Sequence, residues 1–348
     1  MIERIQNIWM AITYACNNKC SWCYAASDDP TNHHKKMELG AFKDYLSLFS
    51  GLSLDGLIFI GGEPTVHPQL SEMVSYAKSQ SLRTGMVTNG RRLRNPDYCK
   101  TLQDAGLDHL TISIESADEA QHDYAVGVKG AFRDTIKGIE NVLKTPLYML
   151  TETTLSKKNA DNIEELVDFL ANLGMTKLGF NICTPCVSRI ATSEDTLSPS
   201  EGIAALTRVY ARAKERKISI ESITPLPICL FDPELFAELN GAKSLHKTCY
   251  VFYGTNTVVD YNGDILPCVH FSGYPIMNLH KEGRVLTKEE FIAAYNDPSQ
   301  KPAKFREELW KYPSQKCAGC DTWGKSCIGG CPMFWFKYNP EREITCKA

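Results

Sequence analysis

The sequence predicts an α/β fold followed by a cysteine-rich appendage. Strand-like and helix-like segments alternate through the first two-thirds of the chain. The last third replaces that periodicity with cysteines separated by Gly, Pro and short aromatic runs. Composition supplies the core, because 43% of the 348 residues are hydrophobic and 23% charged, the balance of a globular protein.

The strand-like segments lie at residues 9–13, 56–60, 83–88, 109–114, 147–154 and 177–182. Between the last two, DNIEELVDFLANLG reads as a helix. Ile163, Leu166, Val167 and Leu170 recur at i, i+3, i+4 and i+7, and Gly174 supplies the stop. AFRDTIKGIENVL carries a second stripe of Phe132, Ile136, Ile139 and Leu143, weakened slightly by Gly138. Six strands each followed by a helix imply parallel pairing by right-handed crossovers, hence an α/β barrel or an open sheet. In either, chemistry gathers at the C-terminal ends of the strands. Near residues 218–228 the pattern changes, with Pro225 and Pro227 following Thr224, so a boundary is expected near residue 230. The segment 231–348 has too little periodicity to build a core alone and is expected to depend on metal for its folding.

Lys and Arg total 38 against 41 Asp and Glu, a net charge of −3, so no general attraction for nucleic acid is expected. No apolar run reaches membrane-spanning length, and MIERIQNIWM lacks a basic region followed by an apolar core. A cytoplasmic, reducing setting is therefore expected, and 14 cysteines there point to metal rather than disulfides.

The first cluster is Cys16, Cys20 and Cys23 in YACNNKCSWCY, just past the first strand. Three thiols in one short loop can converge on one metal centre. Zinc would want a fourth protein ligand nearby. An iron–sulfur cluster held by three cysteines keeps one iron open. Three unrelated buried thiols are the bland alternative. The C-x3-C-x2-C loop, with Trp22 before its third cysteine, resembles the signature of the radical S-adenosylmethionine (SAM) enzymes. The resemblance continues in order through GGEP at Gly61–Pro64, TNG at Thr88–Gly90 and SIES at Ser113–Ser116.

That resemblance implies a partial (β/α)6 barrel. It also implies a [4Fe–4S] cluster on Cys16, Cys20 and Cys23 whose open iron binds SAM, and reductive cleavage to a 5′-deoxyadenosyl radical that takes hydrogen from the substrate. By the same resemblance Gly61, Gly62 and Glu63 present backbone groups to the methionyl ammonium, where glycine permits close approach. Ser113 and Glu115 face the ribose or methionyl carboxylate, and Tyr24 contacts adenine through its backbone. Ser113 and Glu115 can also be read as an ordinary strand end. An oxygen-sensitive enzyme fed by a donor such as flavodoxin or ferredoxin follows.

The last hundred residues carry Cys249, Gly263 with Cys268, then Cys317, Cys320, Cys327, Cys331 and Cys346. This resembles the seven-cysteine SPASM extension of radical SAM enzymes, which holds two auxiliary [4Fe–4S] clusters. Six residues separate Cys320 from Cys327 where the common pattern has five. Zinc is the alternative for the C-x2-C pair. Carried over by motif, Cys317, Cys320, Cys327 and Cys346 bind an outer cluster, and Cys249, Cys268 and Cys331 an inner one. The inner set lacks a fourth thiol, for which Cys229, substrate or water are the candidates.

Cys99 reads as buried filler in a helical pattern. Cys183 and Cys186, in NICTPC, lie past the sixth strand. There a thiol could return a hydrogen atom to a substrate radical, as in radical SAM epimerases, or simply pack. His67 reads as part of the turn into the second helix, and His270 as a site candidate beside Cys268.

Three functions fit. The reading adopted from sequence is oxidation, cross-linking or epimerisation of a peptide or protein side chain. Against it, the first strand begins within ten residues of the start, where many peptide maturases carry a leader-recognition domain. Val269 also follows Cys268, where sulfatase-maturing relatives carry an acid. The alternative is a small-molecule sugar or aminoglycoside epimerase or dehydrogenase, and the third a non-catalytic metal-binding module. Formation of 5′-deoxyadenosine separates the third from the others.

Overall fold

A computed structural model describes residues 2–311 and 313–345, with the backbone alone considered at 190–193. Its centre is a sheet of parallel strands: β1 (Asn7–Thr13), β2 (Gly56–Gly61), β3 (Arg83–Thr88), β4 (His109–Ser113), β5 (Tyr148–Leu155), β6 (Lys177–Ile182) and β7 (Ser219–Ser222). Helices α1 (Leu39–Ser50), α2 (Leu70–Ser79), α3 (Pro96–Asp104), α4 (Glu119–Val126), α5 (Ala131–Val142), α6 (Ile163–Asn172) and α7 (Pro199–Glu215) join them in order. The α/β expectation holds, and all six anticipated strands form within two residues of the expected bounds.

The stripes on the helices do what their periodicity demands. Ile163, Leu166, Val167 and Leu170 of α6 are all buried, and Gly174 leaves the helix at φ +95°. Gly138 sits mid-helix in α5 for a packing reason. A Cβ there would lie 2.3 Å from the Gly90 carbonyl oxygen, so its absence lets α5 close on the loop after β3.

Two departures from the sequence reading concern the edges of the sheet. A seventh strand, β7, pairs with β6 through Ile220 opposite Leu178, inside the stretch expected to be irregular. It is four residues long and carries Ser219, Glu221 and Ser222, too short and polar for a periodicity signal. At the other edge β8 (Asn256–Val259) pairs in parallel with β1, followed by antiparallel β9 (Asp264–Leu266) and β10 (Met277–Asn278). The sheet therefore runs β10-β9-β8-β1-β2-β3-β4-β5-β6-β7. Val259, Ile265, Leu279, Phe291 and Phe334 join the same hydrophobic core as Ile8, Met10, Phe42 and Phe59. The cysteine-rich segment thus shares the main core. Among the described residues no helix is long and apolar enough to cross a membrane.

Candidate active site

The C-terminal ends of β1 to β6 deliver their loops to one rim of the sheet. The loop after β1 carries Cys16, Cys20 and Cys23 and is tied down around them. Asn18 N–H donates to Cys16 Sγ at 3.3 Å, and Cys23 N–H donates to the Cys20 carbonyl at 3.2 Å. Lys19 N–H reaches the Val126 carbonyl at the end of α4 at 2.7 Å. Arg91, paired with Asp134 at 3.1 Å, donates to the Asn17 carbonyl and to Asn18 Oδ1. Burial pushes the Cys16 thiol up to about 12, and the neighbouring Glu63 and Cys23 charges add to the effect. Cys20 is also pushed well up, by burial first and then by Cys23, Glu115 and Cys16. Thiols crowded this way ionise only where a cation compensates them, and cluster iron would do so.

Beside this loop lies the turn after β2. Gly62 N–H donates to the Thr13 carbonyl at 2.7 Å, and Glu63 N–H to that of Ala15 at 2.9 Å. A Cβ on Gly62 would stand 2.5 Å from Ala15 O, 2.6 Å from Tyr14 O and 2.8 Å from Ser27 Oγ. Only glycine allows that approach. Tyr24 Oη donates to the Gly61 carbonyl at 2.9 Å, while its own carbonyl accepts from Ser188 Oγ at 2.7 Å. The Glu63 side chain has a separate use, binding the end of β2 to β3. Thr65 N–H, Thr65 Oγ1 and Thr88 Oγ1 donate to its Oε1, and Asn89 N–H to its Oε2. Asn89 Nδ2 in turn donates to Asn17 Oδ1 at 2.6 Å and approaches Cys16 Sγ at 3.9 Å. The TNG motif had no assigned role in the sequence reading; here Thr88 and Asn89 join the cysteine loop to the GGEP turn.

Ser113 ends β4 opposite Glu152 of β5. Glu115 is buried, accepts from Thr154 N–H at 3.0 Å, and is pushed up to about 8 by burial, with Glu152 as a further charge. Glu152 itself rises to about 7 by burial, with Glu221 adding. Past β6, Cys183 and Cys186 are both buried. The Cys183 backbone is bonded to Leu155 O and Leu197 N, and Cys186 Sγ lies 3.5 Å from Ser188 Oγ. Burial raises both thiols, and the charge of Cys23 bears on Cys186.

Sequence reasoning missed a third group, Tyr14, Asp260 and Ser272. Tyr14 Oη donates to Asp260 Oδ2 at 3.0 Å and lies 3.0 Å from Ser272 Oγ. Burial pushes Asp260 up to about 6. Asp260 follows β8 directly, so the parallel pairing of β8 with β1 is what brings it beside Tyr14. No sequence signal marks that pairing.

The C-terminal thiols fall into two groups. Cys249, Cys268 and Cys331 lie together around Tyr250. Burial and the charges of all three thiols raise the Tyr250 hydroxyl, and burial with the charges of Cys249 and Cys331 raises Cys268. His270, half-buried, has Nδ1 3.6 Å from Cys268 Sγ. Cys229, Cys317, Cys320 and Cys327 instead line one small cavity with Trp323 and Ile344. Cys229, a candidate from sequence for the inner group, is therefore with the outer one, because the turn after Pro227 packs on the loop holding Cys327. Cys346 lies outside the described residues. Among the described residues no three His, Cys, Asp or Glu side chains converge as for a single metal ion. A four-iron cluster holds its thiolates farther apart than one ion does.

Residues 10–184, from β1 to just past β6, match the family model of the Radical SAM superfamily. The chain belongs to that superfamily. Membership implies an enzyme that uses a [4Fe–4S] cluster and SAM, and the three-thiol loop beside a glycine cradle fits both. Similar proteins include the AdoMet-dependent heme synthase of Methanosarcina barkeri, 28% identical over 322 residues, 89% of each chain. The Fe-coproporphyrin III synthase of the same organism is 29% identical over 333 residues, 91% of this chain and 81% of that one. In structure the chain resembles Streptococcus suis SuiB bound to the precursor peptide SuiA. That match has a TM-score of 0.72 and 17% identity and covers 99% of this chain and 76% of SuiB. Native anSMEcpe with bound AdoMet gives a TM-score of 0.70 at 16% identity, covering 99% and 93%. The likeness in fold thus extends through the cysteine-rich segment.

Proposed function

We propose that this enzyme oxidises a small-molecule substrate, with residues 1–230 holding SAM and residues 231–348 acting as a SPASM-type extension with two auxiliary [4Fe–4S] clusters. The gathering of the C-terminal thiols into two groups supports the extension most directly. When bound, the first cluster and SAM supply a 5′-deoxyadenosyl radical that takes a hydrogen atom from substrate. The chain's own residues do the positioning. Cys16, Cys20 and Cys23 hold three irons. Carbonyls of the Gly61–Glu63 turn receive the methionyl ammonium, Ser113 and Glu115 take the polar groups of SAM, and the Tyr24 backbone takes its adenine. In the extension Cys249, Cys268 and Cys331 hold the inner cluster, and Cys317, Cys320 and Cys327 the outer one. Clusters held there would supply the one-electron acceptor that a net oxidation requires.

Likeness to the tetrapyrrole-forming M. barkeri enzymes over nine-tenths of the chain favours a small molecule. The peptide substrate expected from the SPASM resemblance is the second reading; SuiB, which shares the fold, is bound to a precursor peptide. The reduced enzyme, with flavodoxin as donor, is to be given SAM and either iron-bound tetrapyrroles bearing propionates or short peptides. Substrate-dependent formation of 5′-deoxyadenosine, paired with loss of substrate hydrogens by mass, is expected with the first group. The same result with peptides alone would favour the second reading.

A further inference from the structure

The outer thiol cavity draws on a segment of chain that no cysteine motif includes. Three ties hold residues 225–230 against the cysteine-rich loop. Cys331 N–H donates to the Pro225 carbonyl at 2.8 Å. Gly330 lacks the Cβ that would lie 2.8 Å from Pro227 Cδ, so the turn packs directly on it. Thr345 Oγ1 donates to the Cys229 carbonyl at 2.7 Å. The result is a cavity lined by four thiols, Cys229, Cys317, Cys320 and Cys327.

We propose that Cys229, with Cys317, Cys320 and Cys327, completes the four-thiolate ligand set of the outer auxiliary cluster, in place of Cys346. The inference rests on the auxiliary-cluster reading above. Its chemistry is simple: each thiol gives up its proton on binding iron, and four thiolates are the usual complement of a [4Fe–4S] cluster. The Cys229 carbonyl accepts from Thr345 Oγ1, and the turn just before it packs on Gly330, so Cys229 is positioned before any metal arrives. Preorganisation of this kind lowers the ordering cost of ligation.

The test compares full-length Cys229→Ala and Cys346→Ala after anaerobic reconstitution, reading iron and sulfide content and the Mössbauer and EPR spectra. Cys229→Ala is expected to lose about four irons per chain while Cys346→Ala keeps its full complement. Loss from Cys346→Ala, with Cys229→Ala unchanged, overturns the proposal. Should Cys229→Ala not fold, Cys229→Ser decides: a changed outer-cluster EPR signal supports ligation by residue 229, and an unchanged one overturns it. A wild-type chain holding only about four irons would defeat the auxiliary-cluster reading itself, a separate outcome.

Discussion

Glu63 accepts the backbone N–H of Asn89 at 2.7 Å, joining the turn after β2 to the turn after β3 beneath the three-cysteine loop. Its other oxygen takes the backbone N–H of Thr65 at 3.0 Å. Each carboxylate oxygen is thus committed to an amide that cannot rotate away. In Glu63→Gln one of these two N–H groups must face an NH2, whichever way the amide turns. A loss of about 1–3 kcal/mol is expected, read as a lowered Tm, together with weaker SAM binding.

Gly62→Ala should be worse for activity than for folding. Its Cβ would press on the Tyr14 and Ala15 carbonyls and displace the start of the cysteine loop from the GGEP turn. A destabilisation of about 1–3 kcal/mol is expected. Formation of 5′-deoxyadenosine should fall well beyond what the remaining folded fraction accounts for.

Asp260 makes a pH-dependent contribution with a definite sign. Burial raises its folded pKa from 3.8 to about 6, so the folded state keeps a proton that the unfolded chain releases. The stability from this group is present at low pH and lost as pH rises through about 6. Asp260→Asn should therefore gain on the wild type by up to about 3 kcal/mol between roughly pH 4 and 7. Parallel denaturation curves at the two pH values measure the difference, and equal offsets at both would contradict the buried-acid account.

Replacing Cys16, Cys20 and Cys23 together with Ala should abolish SAM cleavage and lower iron from about twelve to about eight per chain. Iron analysis and a 5′-deoxyadenosine assay check the two parts independently. Undiminished 5′-deoxyadenosine would refute the assignment of this loop.

Cys183 and Cys186 distinguish oxidation from epimerisation. The oxidative reading expects each single Ala variant to turn over and the wild-type product to carry no deuterium from D2O. A variant that still makes 5′-deoxyadenosine but no product, with solvent deuterium in the wild-type product, would make that thiol the hydrogen donor.

The sequence by itself determined the six parallel strands, the order of the loops on their C-terminal ends, and the three-cysteine and GGEP motifs. All of these are written in contiguous residues whose periodicity or spacing survives without the fold. It also marked Gly138 as an oddity, though not why the position must be glycine. Tertiary structure decided the rest. Placing β8 beside β1 brings Asp260 to Tyr14, and packing the Pro227 turn on Gly330 brings Cys229 to the outer thiols. Each of these contacts joins residues about 90 or more positions apart through short strands or turns. Such segments have too few residues to show a period, and backbone pairing and close packing, which leave no local mark, select their partners.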